Sequence, residues 1–294
     1  MTDGHLNLIF PQWQGSWPDD RTLPGALDIR TRYFKDRPHR LVPVEAEPTG
    51  IIENDIAEYR VILRQLEAAR RTIAEEKPET MFSIGGGCDA DIPSIAYFDR
   101  KFDGDMALLW IDAHADLNIP ATSPTKRFYG MPLRTLLGDG DAAILDLLGT
   151  TLDPARVVQL GVREPDPPEQ EYIAASGLCE LSVDVAEKDP DAVIRAIRNT
   201  RCRYLYVHVD LDVLDPELFA HIPLPSAGGL RPDTLVRLLR LLQQTFPMPG
   251  LGLYEYMPVA DKRVPLLEEI MRIGWALPEW WARLHTGRKN AGGR

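Results

Sequence analysis

The sequence predicts an α/β fold, with one parallel sheet covered by helices on both faces. Three observations predict it. Short apolar runs alternate along the chain with longer segments whose apolar residues recur at helical spacing. The runs are nearly continuously hydrophobic, as strands buried on both faces are. Polar clusters follow directly after several runs, where open α/β sheets gather their functional residues.

The elements come in order. "LNLIF" (6–10) reads as the first strand, and a Pro-rich irregular stretch follows from about 11 to 50. Residues 54–76 form the clearest helix, because Ile56, Tyr59, Val61, Ile62, Leu66 and Ile73 recur at helical spacing and Asn54 suits an N-cap. "MFSIGGG" (81–87) is a strand breaking into glycines, and the next helix carries Pro93 in its first turn. "MALLWIDAH" (106–114) is a strand, followed by a long loop to about 129. Further strands are expected at 156–162, 204–216 and 250–258, and helices at 190–200, 230–245 and most of 262–285. One unit spans 1–285, and the basic, Gly-rich segment 286–294 is expected to be a flexible tail.

Composition narrows the function. The 294-residue chain is 44% hydrophobic and 26% charged, with a formal net charge of −11. An acidic surface repels nucleic-acid phosphates and anionic lipid, while a cationic substrate is not opposed. Cys88, Cys179 and Cys202 form no close pair, so a reducing cytoplasm is expected. No leader pattern and no apolar run of about 18 residues is visible, so no membrane span is expected. "GGGCD" lacks the spacing of a phosphate-binding loop.

The strand ends carry the chemistry. "DAHADLN" gives Asp112, His114 and Asp116, "HVDLDVLDP" gives Asp210 and Asp212, and the glycine run leads to Cys88 and Asp89. Residues two apart on extended chain share a face, so Asp112 pairs with His114, and Asp210 with Asp212. Carboxylates crowded into one partly buried pocket resist ionisation together, and a divalent cation resolves the conflict. A lone acidic pair after a strand is ordinary loop chemistry. Two such clusters, one with a histidine, favour a metal site.

The segments "SIGGGCDADIPSIA", "WIDAHADLN", "TSPTKRFYGMPLR", "LGVREPDPPE", "HVDLDVLDP" and "YEYMP" together resemble the arginase/agmatinase/formimidoylglutamase (ureohydrolase) family over about residues 80–260. The resemblance implies a three-layer α/β/α sandwich with a mostly parallel sheet of about eight strands. It implies a hydrolase of guanidino or formimidoyl C–N bonds with two Mn²⁺ per chain and a metal-bridging hydroxide as nucleophile. Asp112 and Asp210 would bridge the metals, Asp116 and Cys88 would complete one site, and His114 and Asp212 the other. Glu255 would pair with the cationic head of the substrate. Asn118 and Thr125 would contact an α-carboxylate, with Arg127 in the same loop, and Asp166 and Glu169 would hold an α-amino group. A homo-oligomer, trimer or hexamer, is expected by resemblance.

Two departures stand out. Cys88 occupies a position where the family usually has His. A thiolate is softer than imidazole, so Zn²⁺ or Fe²⁺ are alternatives to Mn²⁺, and a buried non-ligand thiol is the bland alternative. Tyr129 stands where arginases commonly place a His. Tyrosine is a poor proton shuttle at neutral pH, leaving either a hydrogen-bonding or a packing role. Leu224 also alters the pocket wall. The substrate is therefore expected to be arginine or a modified arginine such as the Nω-hydroxylated form. The alternatives are a formimidoyl or agmatine-type amidinohydrolase, or a catalytically impaired regulatory subunit. His208, two residues before Asp210, would share its face and could stand behind the ligands, but it reads rather as a buried strand histidine satisfied by backbone. His5, His39, His221 and His285 read as surface, and Trp275, Trp280 and Trp281 as core or subunit-contact packing.

Overall fold

The structure, a computed structural model, describes residues 4–258 and 264–289. The chain opens with β1 (His5–Phe10), α1 (Leu23–Tyr33) and the two-residue β2 (Arg40–Leu41). A small antiparallel hairpin, β3 (Ile52–Glu53) and β4 (Ile56–Ala57), precedes α2 (Tyr59–Glu76). Then come β5 (Thr80–Gly85), α3 (Ile92–Lys101), β6 (Met106–Ile111), α4 (Pro132–Leu136), α5 (Ala142–Leu148) and β7 (Val157–Leu160). The second half holds α6 (Pro167–Ser176), β8 (Cys179–Leu181), α7 (Val183–Lys188), α8 (Pro190–Asn199), β9 (Tyr204–Asp210), α9 (Pro232–Thr245), β10 (Gly250–Tyr254), α10 (Pro265–Trp275) and α11 (Leu277–Lys289).

Eight strands make one sheet in the order β2-β1-β5-β10-β9-β6-β7-β8, and every pairing is parallel. Alternation along each strand builds the two outer layers. Ala107, Leu109 and Ile111 of β6 point with Leu205, Val207 and Val209 of β9 into a core closed by α1, α8, α9 and α10. Met106, Leu108 and Trp110 point the other way with Tyr204 and Tyr206, into a core closed by α2, α3 and α5. The three-layer expectation therefore holds, with eight strands. Among the described residues no helix is long and apolar enough to cross a membrane.

Several boundaries differ from expectation for local reasons. Asn54 does not cap α2. Asn54 and Asp55 have φ of 54° and 59° and form the turn of the β3–β4 hairpin, a conformation these two residue types tolerate. The helix starts at Tyr59 behind Glu58, whose carboxylate accepts bonds from the backbone N–H groups of Thr49 and Gly50. The Pro-rich stretch contains α1, with Pro24 in its first turn. Strands β6 and β9 end at Ile111 and Asp210, so Asp112, His114 and Asp212 lie just beyond regular strand. Helix α11 runs on to Lys289, into the segment expected as a tail. Residues 290–294, and residues 262 and 263 of the expected 262–285 helix, lie outside the described residues.

Candidate metal centre

Four neighbouring strands in the middle of the sheet, β5, β10, β9 and β6, deliver the site from their carboxyl ends. Cys88 follows β5 through the glycine run and begins a tight turn, Cys88–Asp91. A Cβ on Gly87 would lie 1.9 Å from Ser16 Oγ and 2.7 Å from Asp89 Oδ1, so only glycine fits there. Asp112 leaves β6, Asp210 ends β9, and Glu255 directly follows β10. Trp17, Cys88, His114, Asp116, Tyr129, Asp210, Asp212, Leu224 and Glu255 line one pocket.

The contacts inside it are close. Cys88 Sγ lies 2.9 Å from Asp210 Oδ2 and 3.8 Å from Asp112 Oδ2. His114 Nδ1 lies 2.8 Å from Asp212 Oδ2 and 3.6 Å from Asp112 Oδ1. Asp112 is aimed by the His114 backbone N–H at 2.6 Å and by the Trp110 indole N–H at 3.1 Å. Asp212 accepts from the Ala113 backbone N–H, and Asp210 from that of Asp212. Among the described residues, three groups of ligand-type atoms lie within 4.8 Å of one another: Cys88, Asp112 and His208; Cys88, Asp210 and Glu255; and Asp112, His114 and Asp212. Asp116 lines the same pocket but belongs to none of these groups.

Electrostatics explains what such a cluster needs. Burial, then the charges of Asp212 and Asp112, pushes the Asp210 carboxyl well above the usual range. Burial and Asp112 do the same to Asp116, and burial and Asp212 to Glu255. Burial and the neighbouring Asp210 hold the Cys88 thiol up. Burial opposes the imidazolium of His114, yet Asp212 and Asp112 outweigh it and raise its pKa. Buried Asp116 Oδ2 and Glu255 Oε2 have no hydrogen-bond partner. Repelling acids with unpartnered oxygens fit a divalent cation, and the mixed oxygen, nitrogen and sulfur donors suit Mn²⁺, Zn²⁺ or Fe²⁺.

The outer residues are placed differently. Asn118 Nδ2 donates to Asp166 Oδ2 at 2.9 Å. Asp166 caps α6 in a reciprocal box with Glu169, whose other oxygen accepts from the Leu117 backbone N–H. One oxygen of each acid thus holds the end of "DAHADLN" in place, at Leu117 and Asn118, and the other closes the box. Thr125 is exposed and accepts from the Arg127 backbone N–H. The Arg127 guanidinium donates to the Gln14 and Trp17 carbonyls, tying the segment after β1 to the "KRFYG" loop. Among the described residues it pairs with no carboxylate. Tyr129 stacks on Trp17, with ring centroids 6.0 Å apart and planes 13° apart, and burial raises its pKa.

The sequence underread three contributors. His208 is bonded by Asp91 and Cys88 side chains, not by backbone. Its place two residues before Asp210, on the same face, was the available signal. Ser16 Oγ donates to Glu255 Oε1 at 3.2 Å, and Trp17 lines the pocket. Both come from irregular chain with no pattern to mark them.

Fold and site together define an α/β enzyme whose acids are set out for divalent cations. The Arginase family model matches residues 27–270. Arginase of Staphylococcus aureus strain MRSA252 is 26% identical over 228 residues, covering 74% of each chain. The crystal structure of Entamoeba histolytica arginase in complex with L-ornithine superposes with a TM-score of 0.82 at 20% identity, over 94% of this chain and 99% of that one. Agmatine ureohydrolase of Thermoplasma volcanium gives 0.70 at 18% identity, over 96% and 92%. At those identities the structural likeness is one of fold. The chain belongs to the arginase family, and with it to the hydrolases of amidino and guanidino carbon–nitrogen bonds.

Proposed function

We propose that this chain hydrolyses a guanidino amino acid, arginine or an Nω-modified arginine, at a two-metal centre. One observation carries the reading. Glu255 is buried at the pocket with an unpartnered oxygen, beside a ligand cluster that can hold two cations. Asp112 and Asp210 would contact both cations, Asp212 and His114 one of them, and Cys88 with Asp116 the other. Mn²⁺ is the proposed metal, with Zn²⁺ and Fe²⁺ the alternatives that a sulfur ligand favours. Bound cations supply an activated water and polarise the reacting carbon.

The chain's own groups do the rest. The Glu255 carboxylate pairs with the planar guanidinium and sets it across the cluster. Trp17, Tyr129 and Leu224 line the pocket and would displace bulk water from the substrate. Tyr129 stays a phenol at neutral pH and can donate a hydrogen bond there. Asn118, on the loop proposed to meet the α-carboxylate, is bonded to Asp166, the cap of α6 proposed to meet the α-amino group. Water adds to the guanidino carbon, and the C–N bond to the side chain breaks. The amine leaves with a proton, and urea or hydroxyurea forms. We place the enzyme in the cytoplasm, supported by three free cysteines.

A panel of arginine, Nω-hydroxyarginine, agmatine, guanidinobutyrate and formimidoylglutamate tests this, scored for urea, hydroxyurea and formamide. Turnover of the first two is expected. Turnover confined to agmatine, guanidinobutyrate or formimidoylglutamate overturns the substrate class. No turnover of any member by fully metallated protein favours an impaired, regulatory subunit, the reading that the departure at Cys88 keeps open.

A further inference from the structure

We propose that His208 is itself a ligand of this centre, sharing one cation with Cys88 and Asp112. The proposal rests on reading the pocket as a metal site, and it adds a nitrogen donor on β9 to the side of the site where the chain carries sulfur.

His208 is completely buried and issues from β9 on the same face as Asp210. Its ring is clamped. Trp110, its register partner on β6, stacks with centroids 3.6 Å apart and planes 8° apart. Tyr254 covers the other side at 5.0 Å and 12°. Such a ring has one orientation, and a carboxylate decides which nitrogen carries the proton. Nδ1 lies 2.9 Å from Asp91 Oδ2, while Asp91 Oδ1 accepts the Tyr206 hydroxyl at 2.5 Å. With Nδ1–H given to Asp91, the lone pair is on Nε2. Carboxylate-oriented imidazoles of this kind are the usual arrangement behind a ligating histidine.

Nε2 points at the cluster. It lies 3.3 Å from Cys88 Sγ, which lies 3.8 Å from Asp112 Oδ2. Donors bound tetrahedrally at ~2.0–2.3 Å from one ion sit roughly 3.3–3.8 Å apart. Both separations fall in that range, and the third, from Nε2 to an Asp112 oxygen, is within 4.8 Å, so one ion can draw on all three donors. Gly252, the register partner of His208 on β10, makes the arrangement possible. A Cβ there would lie 2.3 Å from Asp91 Oδ2 and would push away the carboxylate that fixes the tautomer. A purely packed histidine would use the same stacking, and would accept the Cys88 S–H instead of a metal. The two readings differ in what the metal sees.

A crystal structure of the full chain loaded with Zn²⁺, with anomalous data at the zinc edge, separates them. Nε2 at about 2.1 Å from an ion that also touches Cys88 Sγ supports the proposal. An ion on Cys88 with Nε2 beyond about 3 Å overturns it. In solution, Co²⁺-substituted protein gives a thiolate-to-cobalt charge-transfer band. His208→Phe, which keeps the stacking, is expected to shift that band and weaken one cobalt equivalent at least tenfold, and Asp91→Asn to weaken it about tenfold. His114→Phe is expected to leave the band in place. Unchanged affinity and an unchanged band in folded His208→Phe, with turnover of the substrate panel intact in the wild type, overturns this proposal alone. Wild-type protein that takes up no metal at all overturns the proposed function with it.

Discussion

Asp116 and Glu255 share one backbone conformation: each has a left-handed φ, 56° and 57°, and each presents a buried, unpartnered carboxylate oxygen in the same pocket. Left-handed φ on a residue other than glycine costs of order 1–3 kcal/mol and persists where surrounding structure imposes it. Here Glu255 is held by its N–H to the Gly86 carbonyl, and Asp116 by the Arg134 N–H to its own carbonyl. Strain and uncompensated charge thus coincide at two residues far apart in the sequence, which marks an arrangement kept for binding rather than for stability. Replacing Asp116 with Asn keeps a residue that tolerates this φ and removes the charge. The metal-free Asp116→Asn protein is expected to be more stable than wild type by about 1–3 kcal/mol in urea unfolding, and its activity to fall at least about 100-fold. Equal or lower stability of the metal-free variant would show that Asp116 is not held against electrostatic repulsion.

Metal addition should act in the opposite direction on the wild type. Protein stripped by chelation and then given divalent cation at 100 times its Kd is expected to gain about 2.7 kcal/mol in unfolding free energy. Asp112→Ala and Asp210→Ala remove a carboxylate close to Cys88 in each case and should abolish most of that gain, read as the metal-induced shift in Tm. A full metal-induced shift in both variants would place the cations elsewhere.

Much of this centre was legible because strand ends impose spacing. Asp112 and His114, and Asp210 and Asp212, stood out as pairs two apart at strand ends, and the pairing of β6 with β9 brings the two pairs together. Glu255 was legible only through resemblance, since a lone acid after β10 has no spacing partner. The parts that were not legible lack periodicity. Helix α6 buries only Glu169 and so has no apolar stripe, and β8 is a three-residue edge strand with Cys179 and Glu180 exposed. Helix α1 was hidden in Pro-rich chain. His208 was visible as sharing the face of Asp210, but its partner Asp91 comes from a turn 117 residues earlier, and only the folded sheet brings them together.

Tyr129 offers a test of roles in the pocket. Its stacking on Trp17 and its raised pKa make it a wall and a hydrogen-bond donor, not a proton carrier near pH 7. Tyr129→Phe is expected to keep kcat within about threefold and to leave the pH–rate profile unchanged. Tyr129→Ala opens the stack and is expected to raise KM by about tenfold or more. General acid–base groups contribute about 100-fold to 10,000-fold, so a loss of that size in Tyr129→Phe would assign it a proton-transfer role.

Far from the metal centre, His5 sets a pH dependence of stability that can be worked out in sign. Expected at the surface, it is instead half-buried on β1, with Nδ1 at 2.8 Å from Thr80 Oγ1 and Nε2 at 3.2 Å from Asn7 Oδ1. Burial, reinforced by the Arg37 charge, lowers its pKa from 6.5 to about 4. Between those values the unfolded chain binds a proton that the folded chain does not, so acid favours unfolding. The contribution is fully present above pH 6.5 and is lost as pH falls to about 4, a change of about 3 kcal/mol. His5→Gln retains a polar side chain with no such titration. The stability difference between wild type and His5→Gln, from urea midpoints measured at pH 7 and pH 4, is therefore expected to shift by about 3 kcal/mol in favour of the variant on acidification. Parallel pH profiles for the two proteins would mean that His5 is protonated as readily folded as unfolded, and that the β1–β5 edge admits the charge.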